Sequence, residues 1–156
     1  MIMRLQDGPL RGYTGPMSPP SFSLASLLVI FGGGFGAWLR YLTGRAWALA
    51  VGPVVASAFP WATLSANVLG SLSMGVLVGW LARHGPVSSF WSGEHWRLLL
   101  GVGVLGGYTT FSSFALEFVL FVERGQLGLG AAYVGVSLGA GFAALMLGLY
   151  LMRCIG

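Results

Sequence analysis

The chain has 156 residues, of which 56% are hydrophobic and 8% charged, and its mean hydropathy is +0.81. Soluble domains carry about a quarter of charged residues, so this composition excludes one and defines an integral membrane protein. Eight arginines and no lysine stand against four acids, a net charge of +4 spread too thinly for a nucleic-acid surface and suited to membrane-flanking anchors.

Residues 1–21 hold Gly8, Pro9, Gly12, Gly15, Pro16, Pro19 and Pro20 beside Arg4, Asp7 and Arg11. These breakers predict a flexible tail, and the segment lacks the early apolar core of a signal peptide. A spanning helix needs about 20 apolar residues. The first is expected over 22–42, closed by Arg40, Tyr41 and Arg45, with Arg40 snorkelling to the headgroups. Its Gly32-Gly33-Gly34-Phe35-Gly36 run lets a neighbouring helix approach closely. Pro53 and Pro60 break the uncharged stretch that follows, which leaves 61–82 as the second span. Residues 83–97, with Gly85, Pro86, Ser88, Ser89, Gly93 and Glu94, read as a loop in which His84 and His95 are solvated. The third span is expected over 98–122, a turn at Glu123, Arg124 and Gly125, and the fourth span over 127–152, where Gly135 and Gly139 permit close packing. Trp38, Trp47 and Trp61 flank one junction, and Trp80, Trp91 and Trp96 the next, as four alternating spans with rings at headgroup level would place them. The expected fold is all-α: a four-helix membrane bundle forming one domain over 22–156. Cys154 is alone and can form no internal disulfide, and no Cys/His cluster offers a metal site.

Arginine balance leaves the topology open. Outside the tail, Arg83, Arg97 and Arg153 lie on the side of the termini, and Arg40, Arg45 and Arg124 on the other. Positive charge near the spans sets orientation, so this balance gives almost no bias. Either the chain adopts one weakly oriented topology, or it inserts both ways and pairs antiparallel.

Inside the third span, Gly106-Gly107-Tyr108-Thr109-Thr110 precedes Phe111-Ser112-Ser113-Phe114 and Glu117. Lipid cannot hydrogen-bond to backbone, so irregular chain at this depth must be satisfied by protein or a polar cavity. Interrupted membrane helices of this kind mark ion and substrate sites. Phe111, Phe114, Phe118 and Phe121 form one aromatic stripe; the first two adjoin the interruption, where their positive ring edges can face an anion, and the last two read as packing. Thr110, Ser113 and Glu117 form a polar stripe beside it, and Glu117 is the one acid in a span: a functional group, or a hydrogen-bond acceptor that fixes packing. On the second span Thr63, Asn67 and Ser71 recur every four residues, marking a helix contact or a polar pathway. Asn67 offers N–H donors without a fixed charge that would hold an anion too tightly to conduct. Tyr133, Ser137 and Gly141 repeat that spacing on the fourth span.

Together these motifs resemble the Fluc, or CrcB, fluoride-channel family. The matching residues are Gly33-Gly34-Phe35-Gly36-Ala37-Trp38-Leu39-Arg40-Tyr41, Pro60…Thr63-Leu64…Asn67…Gly70-Ser71, and the run from Gly106 to Glu117, the most specific of the three. The resemblance implies an antiparallel, dual-topology homodimer in the bacterial inner membrane, with two fluoride pores and a structural sodium ion at its centre. By it, Phe111 and Phe114 line the pore, Asn67 is a donor to fluoride, and Gly106 and Thr109 give backbone carbonyls to sodium. Thr110, Ser112 and Ser113 fall in the polar part of the interrupted helix, Tyr133 and Ser137 on a polar track, Glu117 at an embedded acid and Arg40 near the vestibule. Two positions depart from the pattern: Ala62 replaces a common glycine, and Gly141 stands where the track often continues with a hydroxyl.

Fluoride is small and strongly hydrated, and many weak donors suit it better than one strong charge. A small proton-coupled multidrug exporter would share the size and the possible dual topology. That class needs a carboxylate in its first span, and 22–42 contain none. A non-catalytic assembly subunit has little use for an interrupted helix. No enzymatic reaction is expected.

Overall fold

The computed structural model describes residues 20–84 and 92–155. The tail before Pro20 and the loop residues 85–91, Trp91 among them, lie outside the described residues. The first helix, α1 (Phe22–Val51), starts at Ser21, whose Oγ accepts the Leu24 N–H at 3.4 Å. It does not end near Arg40. It continues to Gly52, whose φ of +81° and following Pro53 stop it. A charged side chain on a long stem rides a helix without breaking it, whereas a left-handed residue and a missing N–H do not. Arg40 is therefore half-buried about three turns inside the helix rather than at its end, and it has no ion pair among the described residues.

After the short α2 (Pro53–Ala58), Phe59 and Pro60 lead into α3 (Trp61–His84). Trp47 stacks on Trp61 with centroids 5.7 Å apart, and its indole N–H donates to Ser65 Oγ at 2.7 Å, which ties the start of α3 to the end of α1. The loop expected over 83–97 holds a helical turn, α4 (Gly93–Trp96). Ser92 caps it, and the half-buried His95 ring meets the Ser92 backbone N–H at 3.2 Å and hydroxyl at 2.7 Å, so His95 is a capping group. Arg97 grips Glu94 through two 2.7 Å bonds.

The third span opens with a π-helical stretch, Arg97–Leu105, and continues through α5 (Gly106–Tyr108) and α6 (Phe111–Glu123). A Schellman motif ends α6: Gly125, at φ +69°, donates to the Val122 carbonyl, and Gln126 donates to that of Phe121, both at 2.9 Å. The last helix is α7 (Leu127–Cys154). Among the described residues, four helical segments are long and apolar enough to cross a membrane. Their outer faces carry exposed Ile30, Phe31, Leu147 and Tyr150, the side chains that hydrocarbon solvates.

The bundle is built from two tight pairs, α1 on the third span and α3 on α7. Glycine makes both possible. A Cβ on Gly36 would lie 2.0 Å from the Val104 carbonyl, and one on Gly148 would lie 2.4 Å from that of Leu72. Gly135 and Gly139, expected at a helix contact, meet nothing within 4 Å. Small residues four apart permit close approach but do not say which face is used, and α7 turns Gly148 rather than this pair toward α3.

Candidate functional site

Thr109 and Thr110 separate α5 from α6, with φ/ψ of −81°/159° and −151°/125°. Their extended backbone is held by one side chain. Asn67 Oδ1 accepts the Thr110 N–H at 2.8 Å, and Asn67 Nδ2 donates to the Thr110 carbonyl at 3.0 Å. The amide thus pairs with Thr110 as a neighbouring strand would, which supplies the bonds that hydrocarbon cannot. Thr110 then caps α6: its Oγ1 accepts the Ser113 N–H at 3.2 Å, donates to Ser113 Oγ at 3.2 Å and lies 3.3 Å from Ser112 Oγ. These bonds have a second effect. The N–H groups of Thr110 and Ser113 would ordinarily close helical turns on the carbonyls of Gly106 and Thr109. Both are diverted, which frees those two oxygens from their usual donors.

One turn away, Glu117 joins three helices. Thr63 donates to its Oε1 and Tyr133 to its Oε2, each at 2.6 Å. Tyr133 is fully buried. Phe114, Phe59 and Phe121 surround its ring at centroid distances of 5.2, 5.5 and 5.9 Å, and Phe111 follows Phe114 at 5.8 Å. Glu117→Ala strands two hydroxyls. Hydrogen bonds between membrane helices are worth about 0.6 kcal/mol on average and about 1.7 at most, so the loss should be about 1–3 kcal/mol. Glu117→Gln should cost much less, because a hydroxyl can turn round and accept from the amide. Thermal unfolding in detergent measures both; equal midpoints for Glu117→Ala and the unmutated protein would refute this role.

A cavity of about 350 Å3 lies between α3, α6 and α7, lined by Asn67, Ser71, Thr110, Phe111, Phe114 and Ser137. Ser137 Oγ is buried without a hydrogen-bond partner. A smaller cavity of about 170 Å3 is lined by Ser57, Pro60, Glu117 and Arg124. The α3 stripe therefore addresses three neighbours in turn: Thr63 reaches α6, Asn67 the extended pair, and Ser71 the face of α7 at Gly141.

Of the residues singled out in the sequence, Asn67, Thr109, Thr110, Phe111, Phe114 and Ser137 line the larger cavity, and Glu117 the smaller. Ser112 and Ser113 are turned onto Thr110, and Tyr133 stands behind Phe114. Arg40 and Gly106 line neither cavity. Thr63, already marked by its spacing to Asn67, belongs to the arrangement as well, and two further groups join it. Phe59 lies in a connection that no periodicity marks. Arg124, at the Schellman turn, reads in the sequence only as a flanking charge.

Fold and site define a multi-pass membrane protein with a polar seam running through an apolar bundle. The family model for CrcB-like protein, Camphor Resistance (CrcB), matches residues 27–149. Relatives include the fluoride-specific ion channel FluC of Novosphingobium aromaticivorans, 53% identical over 129 residues, which span 83% of this chain and 96% of that one. The proteins of the same name from Erythrobacter litoralis and Sphingopyxis alaskensis are 48% and 47% identical, over 86% and 80% of this chain and 95% and 92% of theirs. The chain belongs to the CrcB-like family.

Proposed function

We propose that this chain is a fluoride-selective channel that lets fluoride leave the cell passively, working in the bacterial inner membrane as an antiparallel, dual-topology homodimer. The observation that carries the reading is the likeness, over nearly their whole length, to proteins named fluoride-specific ion channels. The geometry supports it. Asn67 spends one amide N–H on Thr110 and keeps the other, Ser137 keeps its hydroxyl, and the rings of Phe111 and Phe114 stand beside them. Together they are the dispersed, uncharged donors that can replace the water of a small anion. Phe111 is 78% exposed in the single chain, and Ser112 and Gly106 are exposed with it. Polar groups and free carbonyls on a face that met lipid would be costly, and a second copy covers them.

The same face supports a sodium site. The carbonyls of Gly106 and Thr109 have lost their helical donors, and oxygens of that kind suit a hard cation. Two copies meeting there would offer four. Sodium would supply positive charge that holds the two helix interruptions together. The chain's own residues would bind and orient the anion.

Efflux from liposomes loaded with fluoride or chloride tests the reading. Fluoride is expected to leave through the purified protein and chloride to stay; no fluoride flux, or equal chloride flux, would sink it. C-terminal reporter fusions should signal from both sides of the membrane, and a signal from one side alone would refute dual insertion.

A further inference from the structure

A hydroxyl on a membrane helix usually turns back on the carbonyl one turn earlier. Among the described residues Thr43 donates to Leu39, Ser57 to Val54, Ser65 to Trp61 and Thr109 to Leu105. Ser71 does not. Its hydroxyl makes no hydrogen bond among the described residues, although it lies one turn beyond Asn67 on the seam between α3 and α7. Across that seam stands Gly141, and a Cβ built there would come 3.6 Å from Ser71 Oγ. The missing side chain of Gly141 thus leaves the Ser71 hydroxyl facing open space in the cavity that also holds the unbonded Ser137 hydroxyl, one turn before Gly141. Beyond this level the cavity is lined by Met74 and Leu145, which offer no donor.

We infer that Ser71 is the terminal anion-contacting residue of the conduction path, supplying from α3 the hydroxyl that α7 lacks at Gly141. The inference rests on the fluoride-channel reading. An anion leaving the donors at Asn67 and Ser137 meets Ser71 last on this side. Its O–H is free to rotate toward the ion because no carbonyl competes for it. Ser71 sets where the polar seam ends, and so where the ion must begin to regain water.

Fluoride efflux from liposomes is measured for the unmutated protein, Ser71→Ala, Ser71→Thr and the pair Ser71→Ala with Gly141→Ser. Alanine keeps the helix and the small size and removes only the hydroxyl. Ser71→Ala should lower flux about fivefold, the worth of one neutral hydrogen bond. Ser71→Thr, and the double variant that moves the hydroxyl to α7, should restore most of it. A role in packing alone would not be rescued by a hydroxyl placed on the opposite helix. Full flux through Ser71→Ala, or reduced flux that neither replacement recovers, overturns the assignment while leaving the channel reading intact. No flux through the unmutated protein overturns both.

Discussion

Asn67→Ala is expected to lower fluoride efflux at least about a hundredfold. Two bonds disappear together, leaving the N–H and the carbonyl of the buried Thr110 without their partners at membrane depth. Stranding a buried donor or acceptor costs about 1–3 kcal/mol each, and about 1.4 kcal/mol is a factor of ten in an equilibrium. The backbone has an alternative: the Thr110 N–H can return to the Gly106 carbonyl and continue the helix. That move would shift Phe111 and Phe114 around the axis and remove the amide donor in one step. Asn67→Asp separates the two parts, because it keeps an acceptor for the N–H but loses the donor and adds a charge that repels an anion. It should fold and fail to conduct. Liposome efflux beside elution volume in detergent is the measurement, and unmutated flux through Asn67→Ala would show the pair of bonds to be dispensable.

The second large effect is expected in stability. Gly36→Ala puts a methyl group 2.0 Å from the Val104 carbonyl and 2.8 Å from the Tyr108 nitrogen, where only backbone could give way. Overpacking of this kind costs about 1–3 kcal/mol and occasionally more. The strain falls on α5, next to the extended pair. Gly34→Ala, two residues away, meets nothing within 4 Å and is the control. Thermal unfolding should separate the two variants clearly; indistinguishable midpoints would mean that α1 is not held against the third span as described.

Much of this was legible in the sequence, and the misses have physical causes. Long uncharged stretches mark the spans because only a helix satisfies its own backbone in lipid. The Gly-Gly-Tyr-Thr-Thr run pointed to the two residues that depart from helical dihedrals. Arg40 and Arg45 misled the reading of α1, since charge marks where a helix meets headgroups and not where hydrogen bonding stops. Glu117 as an acceptor that fixes packing was among the readings, and it accepts from Thr63 and Tyr133, but which groups Asn67 and Glu117 would meet was out of reach. Thr110 is 43 residues from Asn67, and Thr63 is 54 from Glu117, so their pairing depends on helix rotation that spacing alone does not set. Gly135 and Gly139 meet no other helix of this chain, because the same spacing does not set which face is turned inward. The capping role of His95 was not legible because a ring within one short turn of its serine leaves no periodic trace.

The double bond between Asn67 and Thr110 has a mechanical meaning. A single rigid amide fixed at both ends of one peptide residue allows neither rotation nor sliding, so α3 and the interruption move as one piece. The side of the seam opposite α7 is thus held at two atoms of one residue. On the fluoride-channel reading, an ion passing this wall would shed and regain water against donors whose positions those two bonds hold.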